Sequence, residues 1–337
     1  LIEFWLHATS LEGNRLGDSA DKREFIYLPP SYDASPNRRY PVIYFLHGYS
    51  ITPGVQDLTA RAFWDSMDRL IATSNLLEMI VVIPDGRNRL GGSFYVNSSS
   101  SGQYEDYIVQ DLVTFVDQRY RTIATASGRG IAGHSMGGFG AIRIGFNHPE
   151  VFGSVYAMSP CCLDFGTESN LALKAWEEVL AVKTPEEGAR LMTENRFFGS
   201  ADFALAAALS PNRQREPLFV DFPFREEDGK VVPNEPTLSE WKSSSIIEQS
   251  KKRVKEILKL NGIVLEYGTR EDDIYIPRGA RKLSQTLSEL GVPNRLEIFN
   301  GTHTSEVNHR IESRLLPFFS SVLGNDAART TPIRIAP

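Results

Sequence analysis

The stretch Gly130-Ile131-Ala132-Gly133-His134-Ser135-Met136-Gly137-Gly138-Phe139 decides how the rest of the chain is read. It passes from a short apolar run through G-x-S-x-G into a helical pattern, Met136–Asn147. A serine on such a strand-to-helix turn is lifted clear of its sheet. It also stands at a helix N-terminus, whose positive end favours developing negative charge. The turn is so tight that the residues two before and two after the serine must be small, as Gly133 and Gly137 are. Ser135 is therefore the candidate nucleophile. Five residues of this kind recur by chance, so the weight lies in their surroundings.

Working outward, continuous apolar runs suited to strands buried on both faces are Pro41–Leu46 and Met79–Ile83. Glu24–Leu28, Gly130–Gly133, Gly153–Met158, Ile263–Tyr267 and Arg295–Phe299 are further strand candidates. Helical spacing occupies Thr59–Ala72, Tyr104–Tyr120, Arg278–Leu290 and Ser305–Leu323. This alternation predicts an α/β fold with a mostly parallel sheet flanked by helices. Alternation lapses over Ser159–Leu260, where helical stretches surround a Pro- and charge-rich patch, Pro211–Pro236. The expected organisation is one domain over residues 1–324, a helical cap insertion over about 160–260, and a tail over 325–337.

Sites in open α/β sheets form at the carboxyl ends of the strands. The loops after Leu46, Gly133, Tyr267 and Phe299 should therefore converge. The first holds His47-Gly48-Tyr49, where the Tyr49 N–H can serve with the Met136 N–H as an oxyanion donor. His47 is expected to brace that loop. The last holds Gly301-Thr302-His303, and His303 is the candidate base. His309 falls about two turns into the following helix and should face away, and His134 is expected to point off the serine side. The third loop offers Glu271, Asp272 and Asp273 as the acid that orients the imidazole.

Composition narrows the field. The formal charge of −6, without a basic cluster, makes nucleic acid and anionic membrane surfaces poor partners. The longest apolar runs are too short to span a bilayer. The two cysteines, Cys161 and Cys162, are adjacent and build no disulfide framework; they are expected to pack as small apolar residues. The chain begins with Leu1, an initiator Met being absent, which tilts the expected compartment toward secreted or periplasmic.

Leu28-Pro29-Pro30-Ser31-Tyr32, Tyr40-Pro41-Val42, Leu46-His47-Gly48-Tyr49-Ser50, Tyr95-Val96-Asn97-Ser98 and Gly133–Ala141 together resemble the esterase family of the α/β-hydrolases. That family includes esterase D (S-formylglutathione hydrolase), feruloyl esterase domains and bacterial mycolyltransferases. The resemblance runs over about residues 11–323 and is weakest over 162–260. It implies an α/β-hydrolase fold and a Ser–acid–His triad, carried here by Ser135 and His303. It also implies oxyanion donors at Tyr49 and Met136. The family acid sits three residues after the strand-end glycine, which points to Glu271 where the family more often has Asp; Asp272 ranks next and Asp273 third.

The expected reaction is attack of Ser135 on a small-molecule ester and release of the acyl group to water, with no metal or organic cofactor. Feruloyl or other small acyl esters are the substrates considered. Transfer to an alcohol acceptor, as in mycolyltransferases, and a catalytically inactive binding protein are the alternatives. Tyr95 and Tyr104, in a Ser-, Gly- and Tyr-rich loop, are expected to contact substrate. Trp176, Phe197, Phe198, Phe219, Phe222, Phe224 and Trp241 are cap aromatics, most of them expected to be packing.

Overall fold

The computed structural model describes residues 2–52, 58–74, 76–165, 173–272 and 275–323. Asp273 and the tail over 325–337 lie outside the described residues. Eight strands form one sheet: β1 (Ile2–His7), β2 (Asp21–Tyr27), β3 (Val42–Leu46), β4 (Ile80–Ile83), β5 (Arg129–His134), β6 (Ser154–Met158), β7 (Gly262–Gly268) and β8 (Arg295–Phe299). Their spatial order is β1-β2-β4-β3-β5-β6-β7-β8. β2 pairs antiparallel with both β1 and β4, and every pairing from β4 to β8 is parallel. The fold is thus the expected mostly parallel α/β sheet.

The strand sequences explain why both faces are covered. Along β3 the side chains alternate, so Val42, Tyr44 and Leu46 enter one core and Ile43 and Phe45 the other. Phe63 and Met67, from helix α1 (Leu58–Ser74), cover the Ile43–Phe45 face together with Leu316, Phe318 and Phe319 near the C-terminal end. Phe139, Ile142 and Phe146, from helix α2 (Met136–Asn147), cover the other face. An all-apolar strand is stable only with both sides buried, and the two cores provide that.

Three segments differ from the sequence expectation. β1 was not anticipated: it is an edge strand with mostly exposed side chains, so its sequence carries little apolar signal. Tyr104–Tyr120 is a helix interrupted by a π-helical stretch at Tyr107–Leu112. Within the Pro- and charge-rich patch, Phe224–Glu227 and Lys230–Pro233 form a hairpin around Asp228-Gly229, both at positive φ (51° and 72°). That Asp-Gly pair was the available turn signal.

Between β6 and β7 the chain contributes helices at Leu173–Leu180, Pro185–Thr193, Phe197–Leu209, Glu235–Ser244 and Ile246–Lys252. Trp176, Trp241, Phe222 and Phe224 pack against one another there, with Trp176 ring centroids 5.3–6.1 Å from the other three. These aromatics are buried packing, as expected for most of the set.

Candidate active site

β5 runs straight into α2, and Ser135 occupies the turn with φ 57° and ψ −116°. A non-glycine residue in this region is strained and is held only by its surroundings. The Ser135 N–H donates to the Met158 carbonyl at 2.9 Å, and the Phe139 N–H donates to the Ser135 carbonyl at 3.0 Å. A β-carbon at Gly137 would collide with the Leu46 carbonyl, and one at Gly133 with the Gly137 backbone. The small residues flanking the serine are therefore a steric necessity.

The loop after β3 lies alongside. His47 Nε2 accepts from the Gly86 N–H at 2.9 Å, and its Nδ1 donates to the Gly48 carbonyl at 2.7 Å. Its ring is buried, and it braces the loop. Among the described residues no backbone acceptor takes the N–H of Tyr49 or of Met136. Tyr49 is anchored at its far end, where its hydroxyl meets the Leu90 carbonyl (2.5 Å) and Ser200 Oγ (2.7 Å).

The loops after β7 and β8 bring Glu271 to His303. Glu271 Oε2 is 2.7 Å from His303 Nδ1. The other oxygen, Oε1, accepts from Ser159 Oγ at 2.7 Å and from the Gly268 N–H at 3.0 Å. Burial works to raise the Glu271 pKa, but the hydrogen bonds from His303, Ser159 and Gly268 outweigh it and hold the carboxyl below its usual range. Of the two candidate carboxylates among the described residues, Glu271 is the one bonded to the imidazole. Asp272 instead lines the adjacent cavity, and Asp273 is not described. His309 is exposed.

A buried layer supports this pair. Arg310 is 1% exposed and donates to Glu266 Oε1 at 2.9 Å. Its guanidinium also reaches Ser159 Oγ and the His303 carbonyl, each at 3.4 Å, and lies 4.0 Å from the Phe299 ring centroid. Tyr156 donates to the second Glu266 oxygen at 2.8 Å. Sequence reasoning missed Ser159, Glu266 and Arg310. Ser159 directly follows β6, so its place at a strand's carboxyl end was the available signal.

Two expectations are corrected. His134 does not point away from the site: its Nε2 donates to the His303 carbonyl at 2.9 Å, and the two rings are 4.6 Å apart. Burial, with the nearby His303 and Arg310, lowers the His134 pKa to about 3, so its ring is neutral. Tyr95 and Tyr104 do not line the cavity beside the serine; both are fully buried. The Tyr95 hydroxyl donates to the His47 carbonyl at 3.1 Å, and the Tyr104 hydroxyl to the Arg87 carbonyl at 2.8 Å. They stiffen the loops behind the site.

Ser135 and His303 open together onto a cavity of about 230 Å³. Its apolar wall is Tyr49, Phe94, Met136, Leu205 and Ile276, with Phe197 and Phe198 from the segment between β6 and β7. Cys161, Cys162, Ala201, Asp202 and Asp272 complete it. Phe198 is 61% exposed and Phe197 46%.

A mostly parallel sheet in this strand order, with a serine on the β5–α2 turn and a histidine after the last strand, defines an α/β-hydrolase. The model of the family described as "Putative esterase" matches residues 20–307, and the chain belongs to that family. Esterase Rv1288 of Mycobacterium tuberculosis (strain ATCC 25618 / H37Rv) is 31% identical over 156 residues, 42% of this chain. The match spans 30% of that relative's length, so the chain corresponds to under a third of it. Among solved structures, a ferulic acid esterase is similar with a TM-score of 0.64 at 20% identity, covering 96% of this chain and 98% of that one. An S-formylglutathione hydrolase from Agrobacterium tumefaciens is similar with a TM-score of 0.58 at 15% identity, covering 96% and 95%. Mycobacterium tuberculosis MPT51 (FbpC1) gives 0.60 at 13% identity, covering 95% and 97%.

Proposed function

We propose that the chain is a serine carboxylic ester hydrolase in which Ser135, His303 and Glu271 act as the triad. The observation that carries this reading is the 2.7 Å contact between Glu271 and His303 Nδ1, in a site where His303 and Ser135 share one cavity. With Nδ1–H held by the carboxylate, Nε2 is left as the free base. It takes the Ser135 proton as Oγ attacks the ester carbonyl, and later returns it to the leaving alcohol. The N–H groups of Tyr49 and Met136 receive the oxyanion, and one such donor lowers the barrier by about 3 kcal/mol. Water, activated by His303, then releases the acyl group.

The wall of the cavity supports a neutral, apolar acyl group of modest size, with hydroxycinnamoyl groups among the candidates. Phe94, Phe197 and Phe198 offer aromatic faces, and the Asp202 and Asp272 carboxylates disfavour an anionic substrate. A panel of p-nitrophenyl, methyl hydroxycinnamate and thioester substrates tests the reading against Ser135→Ala. Turnover of neutral esters that drops by several orders of magnitude in the variant supports it. Near-full activity in Ser135→Ala overturns it.

A further inference from the structure

Cys161 and Cys162 do not pack away from the site; they form part of the cavity wall beside Ser135 and His303. Each is partly exposed, and their sulfurs are 3.0 Å apart. Neighbouring cysteines in extended backbone point to opposite sides, so this closeness needs a particular turn. It is supplied by Cys162, which sits at φ 58°. We propose that Cys161 and Cys162 are an oxidative modification site: a dithiol that peroxides close into a vicinal disulfide in the wall of the cavity.

The chemistry needs one co-reactant, a hydroperoxide. One thiolate attacks the peroxide O–O bond and becomes a sulfenic acid, and the peroxide leaves as water or an alcohol. The second thiol then attacks the sulfenic sulfur. The S–S bond forms, the S–O bond breaks, and a second water leaves with the thiol proton. Two thiols lose two electrons and two protons in all, and the peroxide gains them. A resolving thiol this close captures the sulfenic acid before further peroxide converts it to sulfinic acid.

The backbone makes the site responsive to that closure. The Cys161 N–H bonds to the Ser135 carbonyl at 3.4 Å, and the Ser135 N–H bonds to the Met158 carbonyl three residues earlier in the same segment. Pro160 and the Met158 carbonyl lie 3.0–3.1 Å from where a β-carbon at Gly138 would stand, so this segment packs closely on the first turn of α2. A ring that links residues 161 and 162 constrains the peptide between them and shifts a segment that braces Ser135. The predicted effect on catalysis rests on the proposed role of Ser135; the disulfide itself does not.

The test treats the full chain with a few equivalents of hydrogen peroxide. It follows intact mass, thiol alkylation and labelling of Ser135 by a fluorophosphonate probe, with and without later dithiothreitol. The expected result is loss of two hydrogens and of both alkylatable thiols, reversed by dithiothreitol. Probe labelling should slow at least several-fold in step and recover with reduction. Cys161→Ser and Cys162→Ser, each compared with its own labelling rate before treatment, should form no disulfide and take up oxygen on the remaining thiol. Direct gain of oxygen by both cysteines in the unaltered chain overturns the proposal, as does retention of both alkylatable thiols after treatment; a disulfide that leaves the labelling of an active chain unchanged overturns the predicted effect on catalysis. If the untreated chain never labels at Ser135 while the disulfide forms, the serine hydrolase reading fails and the dithiol chemistry stands.

Discussion

Glu271 holds His303 through one carboxylate oxygen while Ser159 and the Gly268 N–H occupy the other. The carboxylate is thus fixed from both sides, as its proposed task of orienting the imidazole requires. Its place three residues after Gly268 puts the longer Glu where the family pattern more often has Asp. Ser159, from the neighbouring β6 end, meets this longer side chain's carboxylate.

The acid assignment makes a sharp prediction. Glu271→Gln keeps shape and hydrogen bonding to Ser159 but presents the wrong group to His303 Nδ1. Turnover should fall by about 10⁴-fold, the cost of favouring the wrong tautomer in such a triad. Asp272→Asn should change turnover by only a few-fold, since Asp272 lines the cavity. Steady-state kinetics on a neutral p-nitrophenyl ester distinguishes the two, and equal losses in both variants would refute the assignment.

Ser159 should behave as a positioning residue. Removing its hydroxyl takes one hydrogen bond from a charged acceptor, a loss of about 1.5–3 kcal/mol in a buried setting. Ser159→Ala should therefore lower kcat by roughly 10- to 100-fold with KM little changed. A rise in KM at constant kcat would instead assign Ser159 to substrate binding.

How much of this was legible in the sequence differs by element. β3, β4 and the β5–α2 turn were plain because both-face burial demands unbroken apolar runs and the tight turn demands Gly133 and Gly137. His303 and the Tyr49 loop followed from chain order alone. The ranking of Glu271 over Asp272 came only from the family spacing after Gly268, because adjacent carboxylates differ in where they point, not in chemistry. Arg310 and the Cys161-Cys162 pair belong to the site through a contact to Ser159 151 residues away or through a local φ of 58°, and neither leaves a pattern; Ser159 offered only its place at the end of β6. Tyr95 and Tyr104 misled for the opposite reason: a polar, glycine-rich loop reads as exposed, yet its tyrosine hydroxyls find backbone carbonyls inside the core.

Arg310 and Glu266 form a buried ion pair beneath the site. Breaking such a pair from one side leaves an uncompensated charge and costs about 3–5 kcal/mol. Arg310→Met should destabilise the protein by about that amount. Arg310→Met combined with Glu266→Gln should recover a large part, because the remaining carboxamide can still accept from Tyr156. Denaturant midpoints measure both, and equal stability of the single and double variants would show that the pair is not coupled.

Glu24 supplies a pH dependence of stability that is separate from the active site. It is fully buried in β2, accepting from the Tyr107 hydroxyl and, at 3.2 Å, from the Asp85 N–H. Burial is the largest influence and, with the Asp85 charge, outweighs those bonds, raising the pKa from 4.5 to about 8. The folded protein therefore holds this proton between pH 4.5 and about 8, while the unfolded chain has released it. Stability from this group is fully present below pH 4.5 and is lost as pH rises through about 8. Its slope in that window approaches about 1.4 kcal/mol per pH unit. Glu24→Gln, which cannot ionise, should remove this contribution, so the variant's stability falls less steeply from pH 5 to 8 than that of the unaltered chain. Parallel denaturation curves across that range, with the same slope for both proteins, would place the carboxyl's ionisation elsewhere.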